Sequence, residues 1–156
     1  KYTQAKDVMT RNVHTVEADR TLQGLSDFFL EHGISGAPVI DENEVLVGVV
    51  SVTDLARHVS DGGNGARLHN HRVYQDDLSA DYAPEEAEAL HITEPTTATV
   101  RDIMTPEVYD VNPHTSVQQV ADVMLRGNIH RLFVTREGHI DGVITSMDML
   151  NVVRAI

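Results

Sequence analysis

Ser51 and Asp54 stand three positions apart at the end of an apolar run, Gly48-Val49-Val50-Ser51-Val52-Thr53-Asp54. The arrangement returns as Gly142-Val143-Ile144-Thr145-Ser146-Met147-Asp148. A carboxylate accepts hydrogen bonds and donates none, so one such group takes both hydroxyl protons of a cis-diol. A hydroxyl three residues earlier, where a strand runs into a helix, sits beside backbone N–H groups without helical partners. Such a place favours anions. Together the two groups suit a sugar carrying a phosphate. Ser, Thr and Asp at helix starts also act as caps, and in a single copy capping alone is as good a reading as ligand contact. The two roles are compatible.

The copies differ in charge. His130-Arg131 precede an apolar run in the second copy, where the first has Ser35-Gly36. Arg offers a rigid fork of donors suited to phosphate, and His adds a donor. The other reading is a solvated Arg and His on a loop. Small residues at Ser35, Gly36 and Ala37 leave room for a ring instead. The expectation is asymmetric: a phosphate nearest Arg131, and no cation at the matching position of the first copy.

These residues need elements to hold them, and the elements also come twice. Asp7-Val8-Met9-Thr10 recurs as Asp102-Ile103-Met104-Thr105, 95 positions on, whereas the Gly48 run recurs after 94. One residue is therefore lost between the motifs, and the turn at Asn43–Leu46 against Gly138–Asp141 is the natural place. Each copy opens with a short helical piece (Ala5–Met9, Val100–Met104) and an extended run (Val13–Val16, Val108–Val111). An amphipathic helix follows, with Leu22, Leu25, Phe28 and Phe29, or Val117, Val120, Ala121 and Met124, on one face. Thr21 caps the first such helix, Ser116 with Gln119 forms a capping box for the second, and Gly33 and Asn128 follow their ends. Two strands come next, Ala37–Ile40 with Val45–Val52 and Leu132–Thr135 with Ile140–Thr145, then a helix starting near Asp54 or Asp148. The unit reads β-α-β-β-α, an α/β (α+β) fold with a small sheet covered by helices. One copy alone leaves an apolar face uncovered, so two are expected to pack together.

Residues 1–59 form the first repeat, 60–97 an acidic insert and 98–156 the second repeat. The insert opens on Gly62, Gly63 and Gly65, and Pro84 followed by Glu85–Leu90 suggests a short helix. Gly62–Arg67 resembles a phosphate cradle but lacks the Lys-Ser/Thr of a P-loop. His69 and His71 near Asp76 and Asp77 lack a fixed third ligand, so no metal is expected.

Composition narrows the function. A net charge of −12 opposes nucleic-acid binding, and no run approaches the roughly 20 apolar residues of a membrane span. With 41% apolar residues but only 4% aromatics, the core must be aliphatic. The absence of Cys excludes thiolate chemistry and disulfides. No nucleophile elbow, H-E-x-x-H or paired-carboxylate site stands out, so a cytoplasmic protein that is not an enzyme is expected.

The duplicated order resembles the CBS domain, and the pair resembles a Bateman module, over residues 5–59 and 98–155. The carriers are the DVMT and DIMT openings, the segments GISGAPVID and NIHRLFVT, and the endings GVVSVTD and GVITSMD. The resemblance implies tandem repeats packed sheet to sheet with pseudo-twofold symmetry, leaving clefts that bind AMP, ADP, ATP or S-adenosylmethionine as regulatory ligands. It also implies that Asp54 and Asp148 meet ribose hydroxyls, and Ser51 and Thr145 a phosphate. IHRL resembles the phosphate-contacting segment of the nucleotide-sensing CBS subunits of AMP-activated kinase, which places His130 and Arg131 in that role. Flat homodimers through the helices are implied as well, with Leu55, Val59, Leu150 and Val153 as candidate contacts, and an effector protein downstream. The alternative is a ligand-free interaction or dimerisation module, or the regulatory piece of a larger enzyme or ion transporter.

Overall fold

The computed structural model describes residues 2–60 and 97–156. The phosphate-cradle candidate, His69, His71 and the helix expected after Pro84 lie outside the described residues. The first copy runs α1 (Ala5–Val8), β1 (Val16–Glu17), α2 (Leu22–His32), β2 (Gly36–Ile40), β3 (Leu46–Ser51) and α3 (Val52–Ser60). The second runs α4 (Val100–Ile103), β4 (Asp110–Val111), α5 (Val117–Gly127), β5 (Arg131–Arg136), β6 (His139–Thr145) and α6 (Ser146–Arg154). In each, a parallel pair (β1 with β2, β4 with β5) continues into an antiparallel one (β2 with β3, β5 with β6). The fold is mixed α and β in tandem repeats, in the order expected.

Local chemistry explains the boundaries. Thr21 accepts from the Gly24 amide at 3.0 Å, and Gly33 and Asn128 both take the left-handed conformation (φ 63° and 53°). Ser116 accepts from the Gln119 amide at 3.1 Å, but no return bond from the Gln119 side chain forms among the described residues. The missing residue lies in the hairpin turn. Ile40 pairs with Leu46 across five intervening residues, and Thr135 with Ile140 across four. In the longer turn, Asp41 Oδ1 accepts from the Asn43 and Val45 amides (2.8 and 3.0 Å). The last helices start at Val52 and Ser146, two residues before the expected Asp54 and Asp148, because each capping hydroxyl is the final strand residue.

The chain divides into two compact units that cut across the repeats: His14–Val108, and Lys1–Val13 with Tyr109–Ile156. Each opening helix belongs with the other copy's sheet. Helix α1 is held by Ala5 N–H to Thr115 O (2.7 Å), and Val117 N–H reaches Thr3 O (3.0 Å). Helix α4 is held by Val100 N–H to Arg20 O (2.9 Å) and Arg101 N–H to Ala18 O (2.8 Å). The residue after each opening motif's Met pairs with the far strand: Thr10 with Val143, and Thr105 with Val49. The strand residue just before that bridge is Gly. A Cβ on Gly142 would stand 2.7 Å from Met9 Sδ and 2.8 Å from Thr10 O, and one on Gly48 2.7 Å from both Met104 Sδ and Thr105 O. Glycine is required there because another backbone crosses.

The cores follow the same division. Val16, Leu22, Leu25, Phe29, Val39, Val50 and Leu55 close over Val100 and Ile103 of α4. Val117, Val120, Leu132, Val134 and Ile144 close over Ala5 and Val8 of α1. Leu55 corrects an expectation. It is fully buried, whereas Leu150 and Val153 are 56% and 62% exposed and Val59 is half-buried. Leu55 is equivalent to Met149 rather than Leu150, and one residue along a helix turns the side chain by about 100°.

Candidate hydroxyl–acid sites at two strand-to-helix junctions

In the unit His14–Val108, β3 ends on Ser51 and α3 begins at once, with Val52 N–H bound to Ser35 O (2.9 Å). Asp54 Oδ2 accepts from the Ser51 amide (2.8 Å) and hydroxyl (3.2 Å), and Ser51 Oγ accepts from the Asp54 amide (3.2 Å). Asp54 is 1% exposed. In the other unit, Thr145 Oγ1 accepts from the Asp148 amide (3.1 Å), and Asp148 Oδ2 accepts from the Thr145 amide (2.9 Å). Ser146 N–H is bound to His130 O (3.1 Å). Both junctions are thus reciprocal capping boxes, and the capping role expected of these residues is observed in both copies.

The second copy's junction differs in what surrounds the acid. Asp148 is only half-buried, and the Thr10 hydroxyl donates to its two carboxylate oxygens at 3.4 Å each. These bonds are long, so both oxygens keep capacity for a stronger donor. Thr10 was not among the expected site residues; its recurrence as Thr105 in the repeated opening is the signal that marks it.

Four expected residues gather at one end of the β5–β6 ribbon. Arg131 is the cross-strand partner of Thr145, itself three residues before Asp148, and His130 adjoins it. His130 is exposed, with Nδ1 3.5 Å from Ser146 Oγ. Arg131 is half-buried, and its Nε is shut off from solvent with no hydrogen-bond partner among the described residues. An enclosed donor without a partner is costly, so this nitrogen is a candidate for an incoming acceptor. The matching position in the other unit, Gly36, pairs with Ser51 and supplies no charge. There the nearest cation along the chain is Arg57, on α3, which also carries an enclosed nitrogen, Nη1, without a partner among the described residues. Arg57, three residues after Asp54 on the same helix, was not among the expected site residues.

An apolar cavity of about 400 Å³ lies between α5 and α6, lined by Met124, Leu125, Ile129 and Met149 and reaching His130 and Ser146. Thr145 and Asp148 do not line it. Leu125 and Met147, beside Leu150 and Val153, extend the exposed apolar surface of these two helices. Among the described residues no helix is long and apolar enough to cross a membrane, and no group of three or more His, Cys, Asp or Glu is placed to hold a metal ion.

Comparison with known proteins bears on this geometry. The family model "CBS domain" matches residues 5–61 and 100–155. The chain is 32% identical over 152 residues to the chloroplastic CBS domain-containing protein CBSX2 of Arabidopsis thaliana, covering 96% of this chain and 61% of that protein. The crystal structure of CBSX2 in complex with AMP superposes with a TM-score of 0.65 at 25% identity, over 99% of this chain and 98% of the other. The CBS domain of a membrane protein from Sphaerobacter thermophilus matches at a TM-score of 0.65 and 31% identity, over 95% and 86%. An inosine-5'-monophosphate dehydrogenase of Nitrosopumilus maritimus is 27% identical over 152 residues, which span 97% of this chain but only 24% of the enzyme. With both repeats matched and the opening, junction and cap residues in repeat-equivalent positions, the chain belongs to the CBS-domain family as a tandem pair.

Proposed function

We propose that this CBS pair is a regulatory module, without catalytic activity of its own, that binds an adenosine-containing ligand and passes the signal to a partner protein. Thr145, Asp148, His130 and Arg131 form the site in one unit, and Ser51 and Asp54 contribute in the other. The observation that carries the reading is the enclosed Arg131 Nε, without a hydrogen-bond partner among the described residues, one strand away from the Thr145–Asp148 pair. It favours a ligand with a phosphate over S-adenosylmethionine, whose own charge is positive. AMP, bound by the similar CBSX2 in its crystal structure, is the first ligand to try. Ligand binding shifts a regulatory equilibrium only by its differential affinity for the states involved. Titration calorimetry with AMP, ADP, ATP and S-adenosylmethionine tests this. We expect a nucleotide to bind tighter than about millimolar, and Asp148→Ala and Arg131→Ala to weaken it. If no adenosine compound binds in that range, the sensor reading is wrong.

A second reading, favoured by the exposed apolar stripe of Leu125, Met147, Leu150 and Val153, is an interaction or dimerisation module. On that reading the helices α5 and α6 bind a second copy or a larger enzyme or transporter of which the pair is the regulatory part. A cytoplasmic setting belongs to both readings.

A further inference from the structure

We propose that Arg57 is the cation of the first copy's site, so that both copies, not one, receive a phosphate. The inference rests on the adenosine-ligand reading above and extends it to the copy in which the strand carries no charge. It starts from a trade between equivalent positions. Where the second copy has Arg131 on its strand, the first has Gly36; where the first has Arg57 on its last helix, the second has Asn151. Each copy therefore carries one arginine on an element that meets its junction, strand β5 in one and helix α3 in the other. Each of those arginines also has one nitrogen enclosed without a hydrogen-bond partner among the described residues, Nε of Arg131 and Nη1 of Arg57.

Position supports the role. Arg57 follows Asp54 by three residues on the nine-residue helix α3, and side chains so spaced share a face, about 5–6 Å apart at Cβ. The other arginines among that unit's described residues are otherwise placed. Arg20 meets Glu17 at 3.5 Å and lies over the Phe28 ring, and Arg101 is exposed. The counterpart Asn151 needs no ligand, since its Oδ1 accepts from Arg154 Nη2 at 3.2 Å. A guanidinium nitrogen withdrawn from water without an acceptor is unfavourable, and a phosphate oxygen is the acceptor its geometry fits best. The chemical class is thus a nucleoside phosphate, with its anionic end toward Arg57 and Ser51 and its hydroxyls toward Asp54.

Calorimetry on the full chain with AMP, adenosine and inorganic phosphate decides the matter, comparing the wild type with Arg57→Ala, Arg57→Lys and Arg131→Ala and recording the melting temperature of each. The expected result is two AMP molecules per chain. Arg57→Ala weakens one of them by about 10- to 100-fold, the range for loss of a charged hydrogen bond, and Arg131→Ala weakens the other. Adenosine binding stays unchanged in Arg57→Ala, and Arg57→Lys recovers part of the AMP affinity. Unaltered binding of both AMP molecules in Arg57→Ala overturns the proposal, as does an equal loss for adenosine and AMP, which marks a packing role. Should Arg57→Ala fail to fold, Arg57→Lys carries the same comparison at reduced amplitude. If the wild type binds no adenine compound, the adenosine reading falls by itself and inorganic phosphate decides for Arg57. Phosphate bound by the wild type and lost in Arg57→Ala upholds it; equal phosphate binding, or none, overturns it.

Discussion

Asp7 shows how one side chain ties the opening motif together. Its Oδ2 accepts from the Gln4 and Thr3 amides (2.9 and 3.1 Å) and from the Thr3 hydroxyl (3.1 Å). The Gln4 amide above all, then the Thr3 amide, hold the carboxyl below its usual value of 3.8. A folded-state value below the unfolded one means that the contribution to stability is present above the unfolded value and is lost as pH falls through the folded one. We expect Asp7→Asn to melt below the wild type at neutral pH, with the gap closing on acidification past the ordinary aspartate range. Melting curves of both proteins across that window check it, and a pH-independent gap would contradict it. The acids at the junctions were readable because their spacing repeats: Ser51–Asp54 and Thr145–Asp148 bond as reciprocal caps, as residue type and position suggest. The burial that separates Asp54 from Asp148 was not readable, since identical motifs meet different surroundings.

At the scale of elements, the strand glycines test how closely the opening segments pack. Gly142→Ala places a methyl 2.8 Å from the Thr10 carbonyl, a backbone atom that cannot step aside, so either strand β6 or the opening segment must shift. The expected loss is about 1–3 kcal/mol, as for other overpacked sites, measured by urea denaturation. Loss of much less would show that the crossing is loose. Most elements were legible from period and caps: Thr21, Gly33 and Asn128 end their helices as their types require, and the hairpin turn absorbs the one-residue difference. Leu55 was misplaced because alternation between a buried and an exposed helical face turns on a single position, and the shift of one residue between the copies hides it. The true partner of Leu55, Met149, packs against its own core as Leu55 does.

For the molecule as a whole, the two sequence repeats and the two compact units are different sets of residues. The sequence is silent on this, because near-identical openings fit either sheet and nothing local distinguishes a segment's own copy from the other. A fragment of residues 98–156 keeps the second repeat but lacks Ala5 and Val8, both buried in that unit's core. We expect such a fragment to show no cooperative unfolding transition by circular dichroism, and a peptide of residues 2–13 added in trans to restore one. A fragment that melts cooperatively unaided would show α1 to be dispensable.

The crossed openings also impose an order of events. The unit His14–Val108 is continuous in the chain, whereas the other joins Thr10 to Val143. Loop closure over so long a stretch carries a larger entropic cost than contacts made within one segment, and proteins dominated by distant contacts fold more slowly. On a ribosome, the continuous unit has all its residues while the C-terminal strands are still being made. The N-terminal dozen residues must wait, holding Ala5 and Val8 exposed until the last hairpin emerges, and the nascent chain is most vulnerable to chaperone capture or proteolysis during that interval.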